Sequence, residues 1–224
     1  MKSKATPLAT SIATATGAIF ALQSHADAAI VYSGGQNLTI TLKGTGYNSA
    51  ILQQNMGLDI QILRNTTGSG QTFGRAILGF YGNHGGLLKT GGITSRGGAA
   101  LRKLAAGAQI SAALLNNAFP GAFLVQFYQG KKVGVSWASG QAGFAAFEQA
   151  NGDLGWVRLE WTSNDGTGFP NTLTALDWAY NNVPGQSIQA GQTSSVPEPG
   201  ATALLALAGA GAAFLRRRKA GLKS

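Results

Sequence analysis

Gly143-Phe144-Ala145-Ala146-Phe147-Glu148-Gln149-Ala150-Asn151-Gly152-Asp153-Leu154-Gly155-Trp156-Val157-Arg158-Leu159-Glu160-Trp161 reads as two strands joined by a tight turn. Asn-Gly is the favoured centre of a two-residue type I′ hairpin, because both central residues of that turn need positive φ. With the turn centred on Asn151-Gly152, positions that face each other across the hairpin add to 303. Phe147 then faces Trp156, Ala145 faces Arg158 and Phe144 faces Leu159. Side chains alternate between faces along a strand, so Phe144, Ala146, Val157, Leu159 and Trp161 share one face, assigned to the core. The other face carries Phe147, Trp156, Arg158 and Glu160. A flat aromatic pair beside polar side chains suits a sugar, whose C–H face stacks on the rings while its hydroxyls take the polar groups. In the competing reading a loop covers this second face and the aromatics form a minor core.

Working outward, other segments carry the same period-two signal. Leu38, Ile40 and Leu42 share one face, as do Leu58, Ile60 and Ile62, and Phe73 to Tyr81 and Phe123 to Tyr128 are apolar runs of strand length. A final strand over Thr172–Tyr180 places Leu176, Trp178 and Tyr180 opposite Asp177. Gly and Asn cluster at 65–70, 82–86 and 91–98, where turns need positive φ. Ala99 to Leu115 is rich in helix formers, and one or two short helical turns are expected there despite Gly107. The economical fold is all-β, an antiparallel β-sandwich or jelly roll.

The chain has 224 residues, a formal charge of +9, 33 glycines and no cysteine. Without cysteine there is no disulfide framework, thiolate nucleophile or cysteine zinc site. Two histidines, His25 and His84, leave little imidazole chemistry, and no cofactor or metal is expected. Residues 1–28 run from Lys2 and Lys4 through an apolar stretch to Ala26-Asp27-Ala28, the order of a secretory signal peptide with cleavage between Ala28 and Ala29 by signal peptidase. Near the other end Val196-Pro197-Glu198-Pro199 precedes an uncharged stretch, 200–215, and then Arg216-Arg217-Arg218-Lys219. As a helix, 200–215 is about 24 Å long, short for a bilayer core of roughly 30 Å. The basic cluster keeps 216–224 cytoplasmic and places the body outside. The organisation is therefore signal peptide 1–28, body 29–191, linker 192–199, transmembrane sorting helix 200–215 and basic tail 216–224. Between residues 29 and 195 the net charge falls to +4, from ten basic and six acidic side chains. No Lys/Arg stripe remains to follow a phosphate backbone, which argues against nucleic acid.

The Pro197-Glu198-Pro199 motif, the short apolar helix and the arginine-rich end together resemble the PEP-CTERM sorting signal of Gram-negative bacteria that make extracellular polysaccharide. That resemblance implies a transient membrane anchor, processing near the motif by an exosortase-type membrane enzyme, and delivery to the cell surface or beyond. Gly155-Trp156-Val157-Arg158-Leu159, Trp178-Ala179-Tyr180, Pro184-Gly185, Ile188 and Ala190-Gly191 are similar to the carboxyl half of a group of PEP-CTERM exported proteins without a settled activity. Leu154 stands where those proteins commonly have Tyr.

Catalytic patterns are sparse. Neither the Gly-x-Ser-x-Gly elbow nor a phosphate-cradling Gly-x-x-x-x-Gly-Lys-Ser/Thr occurs. His84 is more readily a solvated turn residue than a general base, and Asn164-Asp165-Gly166-Thr167-Gly168 is more readily a tight turn than a calcium loop. Glycoside hydrolysis needs two carboxyls facing one cleft. Glu148 and Glu160 point to opposite faces, and Glu160 with Asp177 is the remaining pair, with Arg158 expected to hold Glu160 as an ion pair. The sequence expectation is thus an exported, non-enzymatic structural or glycan-associating component of the extracellular polysaccharide or biofilm matrix. The alternative is a secreted polysaccharide-modifying enzyme using that carboxylate pair.

Overall fold

The computed structural model describes residues 29–195, except 55, 82–85, 89, 94–98, 116–118 and 134–136. The expected signal peptide through Ala28, the Pro197-Glu198-Pro199 motif, the helix at 200–215, Arg216 to Lys219 and His84 lie outside the described residues. In chain order the strands are β1 (Ile30–Tyr32), β2 (Leu38–Thr41), β3 (Gly46–Gln53), β4 (Leu58–Thr66), β5 (Thr72–Phe80), β6 (Leu87–Leu88), β7 (Thr90–Ile93) and β8 (Ala99–Leu101). They continue with β9 (Gln109–Ile110), β10 (Gly121–Tyr128), β11 (Lys131–Lys132), β12 (Gly143–Glu148), β13 (Leu154–Thr162), β14 (Thr172–Asn181) and β15 (Ile188–Gln189).

Three layers result. A front sheet runs β1-β14-β13-β12-β6, with β2 also on β14, and a back sheet runs β3-β4-β5-β10-β8-β7, with β11 on β10. Among the described residues all strand pairings are antiparallel except β8 with β10. The sheets face each other across one core, to which the front sheet sends Ile40, Phe147, Val157, Leu159, Trp161 and Trp178 and the back sheet sends Leu58, Ile60, Ile62, Leu78 and Leu124. Consecutive strands neighbour one another in each sheet, β3-β4-β5 and β12-β13-β14. The expected all-β antiparallel stack is present, built from meanders and not from the strand alternation of a jelly roll. The third layer is the β9–β15 pair, laid with the 3-10 helix Ala112–Leu115 over the outer side of the front sheet.

The central hairpin differs from its expected register by one residue. Paired positions add to 302: Phe147 faces Gly155, Ala146 faces Trp156 and Phe144 faces Arg158. The loop is three residues long, closed by the Gln149 amide donating to the Asp153 carbonyl at 2.9 Å. Gly152 takes φ +88°, but Asn151 stays at negative φ, so the type I′ turn does not form. Asn151 instead makes an Asx turn, its Oδ1 accepting from the Asp153 amide at 3.2 Å while its Nδ2 donates to Asp153 Oδ2 at 2.8 Å. A one-residue slip exchanges the faces of one strand. Phe147 enters the main core beside Val157 and Leu159, and Phe144 and Ala146, expected in the core, turn to the outer side. Gly155 is required here, because a Cβ on it would lie 2.3 Å from Phe147 Cζ and 2.6 Å from the Ala179 carbonyl.

Two further expectations change. Of the helical turns expected over Ala99–Leu115 only Ala112–Leu115 is helical, and Ala99–Leu101 and Gln109–Ile110 are strands. Sheet pairing overrides the helix propensity of the alanines. Thr172–Tyr180 is a strand, but a bulge at Leu176 lets Leu173 and Ala175 join Trp178 in the core, and β15 follows it in the chain.

Candidate functional site

The four side chains expected to form a sugar platform are not brought together. Phe147 is fully buried in the main core, while Trp156 is 1% exposed on the opposite side of the same sheet. The third layer seals Trp156 among Leu104, Ile110, Leu115, Ile188 and Ala190. Its indole N–H donates to the Gln192 carbonyl at 3.0 Å, so the fold extends through Gln192. Phe144 stacks edge-on against it with ring centroids 5.3 Å apart. The loop-covered reading holds for Trp156 alone, since Phe147, which that reading placed in the same minor core, belongs to the main core; Trp156 anchors the covering segment at Gln192.

Arg158 and Glu160 do lie on that outer side. Arg158 does not hold Glu160. Its Nε and Nη2 donate to Asp177 Oδ1 and Oδ2 at 2.9 and 2.8 Å, a bidentate pair, and the Tyr32 hydroxyl donates to Oδ2 at 3.0 Å. The bulge at Leu176 is what sets Asp177 opposite Arg158. Burial, together with the bond to Asp177, holds the Tyr32 phenol above its ordinary pKa. Glu160, opposite Thr174, and Asp177 therefore share a face. With both its oxygens engaged, however, Asp177 is poorly placed to act as acid or nucleophile.

The Asn164–Gly168 segment is a turn in which Asp165 accepts from the Thr167 amide at 3.1 Å and from Arg64 Nη1 at 2.9 Å. The Thr167 bonds, and then Arg64, hold the Asp165 carboxyl below its ordinary pKa. Ala29, on the carboxyl side of the expected cleavage, is tied into the body. Its amide donates to Asn182 Oδ1 at 3.1 Å, and its carbonyl accepts from the Asn182 amide at 3.2 Å.

The outer side of the back sheet holds the arrangement that sequence reasoning missed. Register sets three rows across β3, β4, β5 and β10: Ile51, Asp59, Gly79 and Gly121; Ser49, Gln61, Ile77 and Phe123; Tyr47, Leu63, Arg75 and Gln126. Tyr47 and Ile51 are exposed, and Leu63, Ile77 and Phe123 are half-exposed. Arg75 lies between two rings, its Cζ 4.7 Å from the Phe123 centroid and 5.4 Å from that of Phe73. Register separates those rings, since Phe73 is one step from Arg75 toward Tyr128 while Phe123 faces Ile77 on the other side. Burial pushes the Arg75 guanidinium below its ordinary pKa, and its Nε has no hydrogen-bond partner among the described residues. Asp59 is 2% exposed, with Gln61 Nε2 donating to Oδ2 and Oδ1 left unpartnered among the described residues. Burial raises its pKa against the opposing effect of the Gln61 bond. The alternation of Phe73, Arg75 and Ile77 against Ala76, Leu78 and Phe80 was the available signal for this face.

Among known proteins, the family model described as the PEP-CTERM protein-sorting motif matches residues 195–219. No curated protein and no solved structure matches the chain.

Proposed function

We infer, for a chain whose PEP-CTERM tail marks it as an exported substrate of an exosortase-type system, that the body is a non-enzymatic component of the cell surface or extracellular polysaccharide matrix. In this reading an N-terminal signal peptide is removed before Ala29 by signal peptidase, the 200–215 helix anchors the protein transiently, and processing near Pro197-Glu198-Pro199 frees it. The tie between Ala29 and Asn182 supports that boundary, because the residue that cleavage would expose is held in the body. The body associates with glycan through the outer side of the back sheet. The observation that carries this is the cluster of Phe73, Arg75 and Phe123, flanked by Tyr47, Leu63 and Ile77, on a half-exposed surface. Rings and aliphatic side chains offer an apolar floor for sugar C–H faces, while Gln61 and Arg75 offer polar groups beside it. The outer side of the front sheet offers less, because Trp156 is buried under the third layer and Asp177 is tied to Arg158 and Tyr32.

The test is co-sedimentation of the full chain with the producing organism's own extracellular polysaccharide at low and moderate salt. Binding that persists at moderate salt, is lost in Phe123→Ala and leaves the polymer length unchanged is expected. Shortening of the polymer would overturn the non-enzymatic reading, and absence of binding would overturn the glycan reading.

A further inference from the structure

We propose that Arg75 is an anion site, through which the back sheet holds the carboxylate of an acidic sugar within the polysaccharide. The proposal rests on the glycan reading and adds the chemical class of the sugar.

The starting point is an arginine without a counter-charge. Arg64 and Arg158 each hold a carboxylate, at 2.9 and 2.8 Å, and Arg102 is exposed to water. Arg75 is half-buried, and no carboxylate or other hydrogen-bond acceptor meets it among the described residues. Its cross-strand neighbours are Leu63 and Gln126, and its neighbours along the strand face are Phe73 and Ile77. The acidic side chain nearest in register on this face, Asp59, is four positions further along β4, about 13 Å at 3.3 Å per residue. It is also already engaged by Gln61. A guanidinium removed from water and left unpaired is costly to the fold unless something else recovers the interaction.

The two rings recover part of it and set the geometry. A cation over aromatic faces is attracted to them, and Phe73 and Phe123 approach the guanidinium from two sides. The guanidinium edge, with its Nη donors, is left for a ligand. A carboxylate matches that edge with two parallel hydrogen bonds, a match a lysine ammonium cannot reproduce. The sugar ring bearing the carboxylate would then rest against Phe123 and Ile77. Lys131 strengthens the local field. It is exposed, pairs with Tyr128 and shares this face one row from Arg75.

The experiment measures binding of the full chain to alginate, a polyuronate, and to the same alginate after its carboxyl groups have been reduced to alcohols. Polyglutamate of matched charge density and the producing organism's own polysaccharide are measured alongside. The expected result is binding to alginate that weakens about tenfold to a hundredfold on carboxyl reduction, the range of charged hydrogen bonds. Arg75→Leu is expected to show the same loss with an unchanged or higher Tm, which separates loss of the site from loss of the fold. Arg75→Lys should fall between, keeping charge but not the planar fork. Equal binding to both alginates, or full binding by Arg75→Leu, would overturn the carboxylate assignment while leaving the glycan reading standing. Equal binding to polyglutamate would overturn the assignment to a sugar, and no binding to any polysaccharide would overturn both readings.

Discussion

Replacing Trp156 with alanine separates two accounts of the outer side of the front sheet. If Trp156 were an open sugar platform, truncation would leave stability nearly unchanged. In the structure it is 1% exposed, packed against Phe144 and the third layer, and hydrogen-bonded to the Gln192 carbonyl. Burying a tryptophan removes roughly 150–250 Å² from water, worth about 4–6 kcal/mol at 25 cal/mol per Å². Measured large-to-small truncations of this kind cost about 3–5 kcal/mol. For a domain of this size each 1 kcal/mol lowers Tm by about 2–4 °C, so Trp156→Ala should lose roughly 6–20 °C. Trp156→Phe keeps most of the apolar contact and loses the indole donor, a cost of about 1 kcal/mol. Thermal and urea unfolding of the two variants provide the assay, with limited proteolysis of the 186–195 segment as a local readout. That segment should become the earliest cleavage site in Trp156→Ala. A loss below about 1 kcal/mol in the alanine variant, an ordinary surface effect, would refute the sealed third layer.

Gly155→Ala should destabilise by at least about 3 kcal/mol, the upper end of overpacking, since its Cβ meets both Phe147 and the Ala179 carbonyl. Adding Phe147→Leu should recover only part of the loss in urea unfolding, because the carbonyl cannot move aside. Asp59→Asn should raise Tm at pH 7. Burial raises the folded pKa of Asp59 above its unfolded value, so the carboxylate costs stability once pH exceeds the ordinary carboxylate value, and the gain should fade as pH falls through the raised folded pKa toward that ordinary value. Asp177→Asn weakens the bidentate pair with Arg158, whose side chain is 40% exposed. The loss should be only about 1 kcal/mol, with polysaccharide binding unchanged in the same sedimentation assay.

Much of the fold was legible because burial on one side imposes period two. Leu58, Ile60 and Ile62 are all fully buried, as their spacing required. The hairpin register was not legible from Asn151-Gly152 alone. Asn151 satisfied the turn with its side chain at negative φ, a choice that tertiary packing of Phe147 makes favourable and that turn statistics cannot see. The same packing decided the site. Phe147 and Trp156 are both aromatic, three residues before the loop and four after it, and that one-residue difference sends one to each side of the sheet. Arg75 was invisible for a related reason: a strand sequence names the residues that share its face, but not the Phe123 brought beside them by β10, well over forty residues later. The sorting tail was fully legible, because its recognition depends on local order of motif, apolar segment and basic cluster and not on folding.

The most direct test of the account is NMR chemical-shift mapping of the full chain with oligosaccharides cut from the producing organism's own polysaccharide. The account predicts shifts at the Arg75 Nε–H and the rings of Phe73 and Phe123, with Trp156 and the Arg158–Asp177 pair unmoved. Shifts confined to the front sheet around Arg158 and Glu160, or no shifts at saturating oligosaccharide, would contradict it.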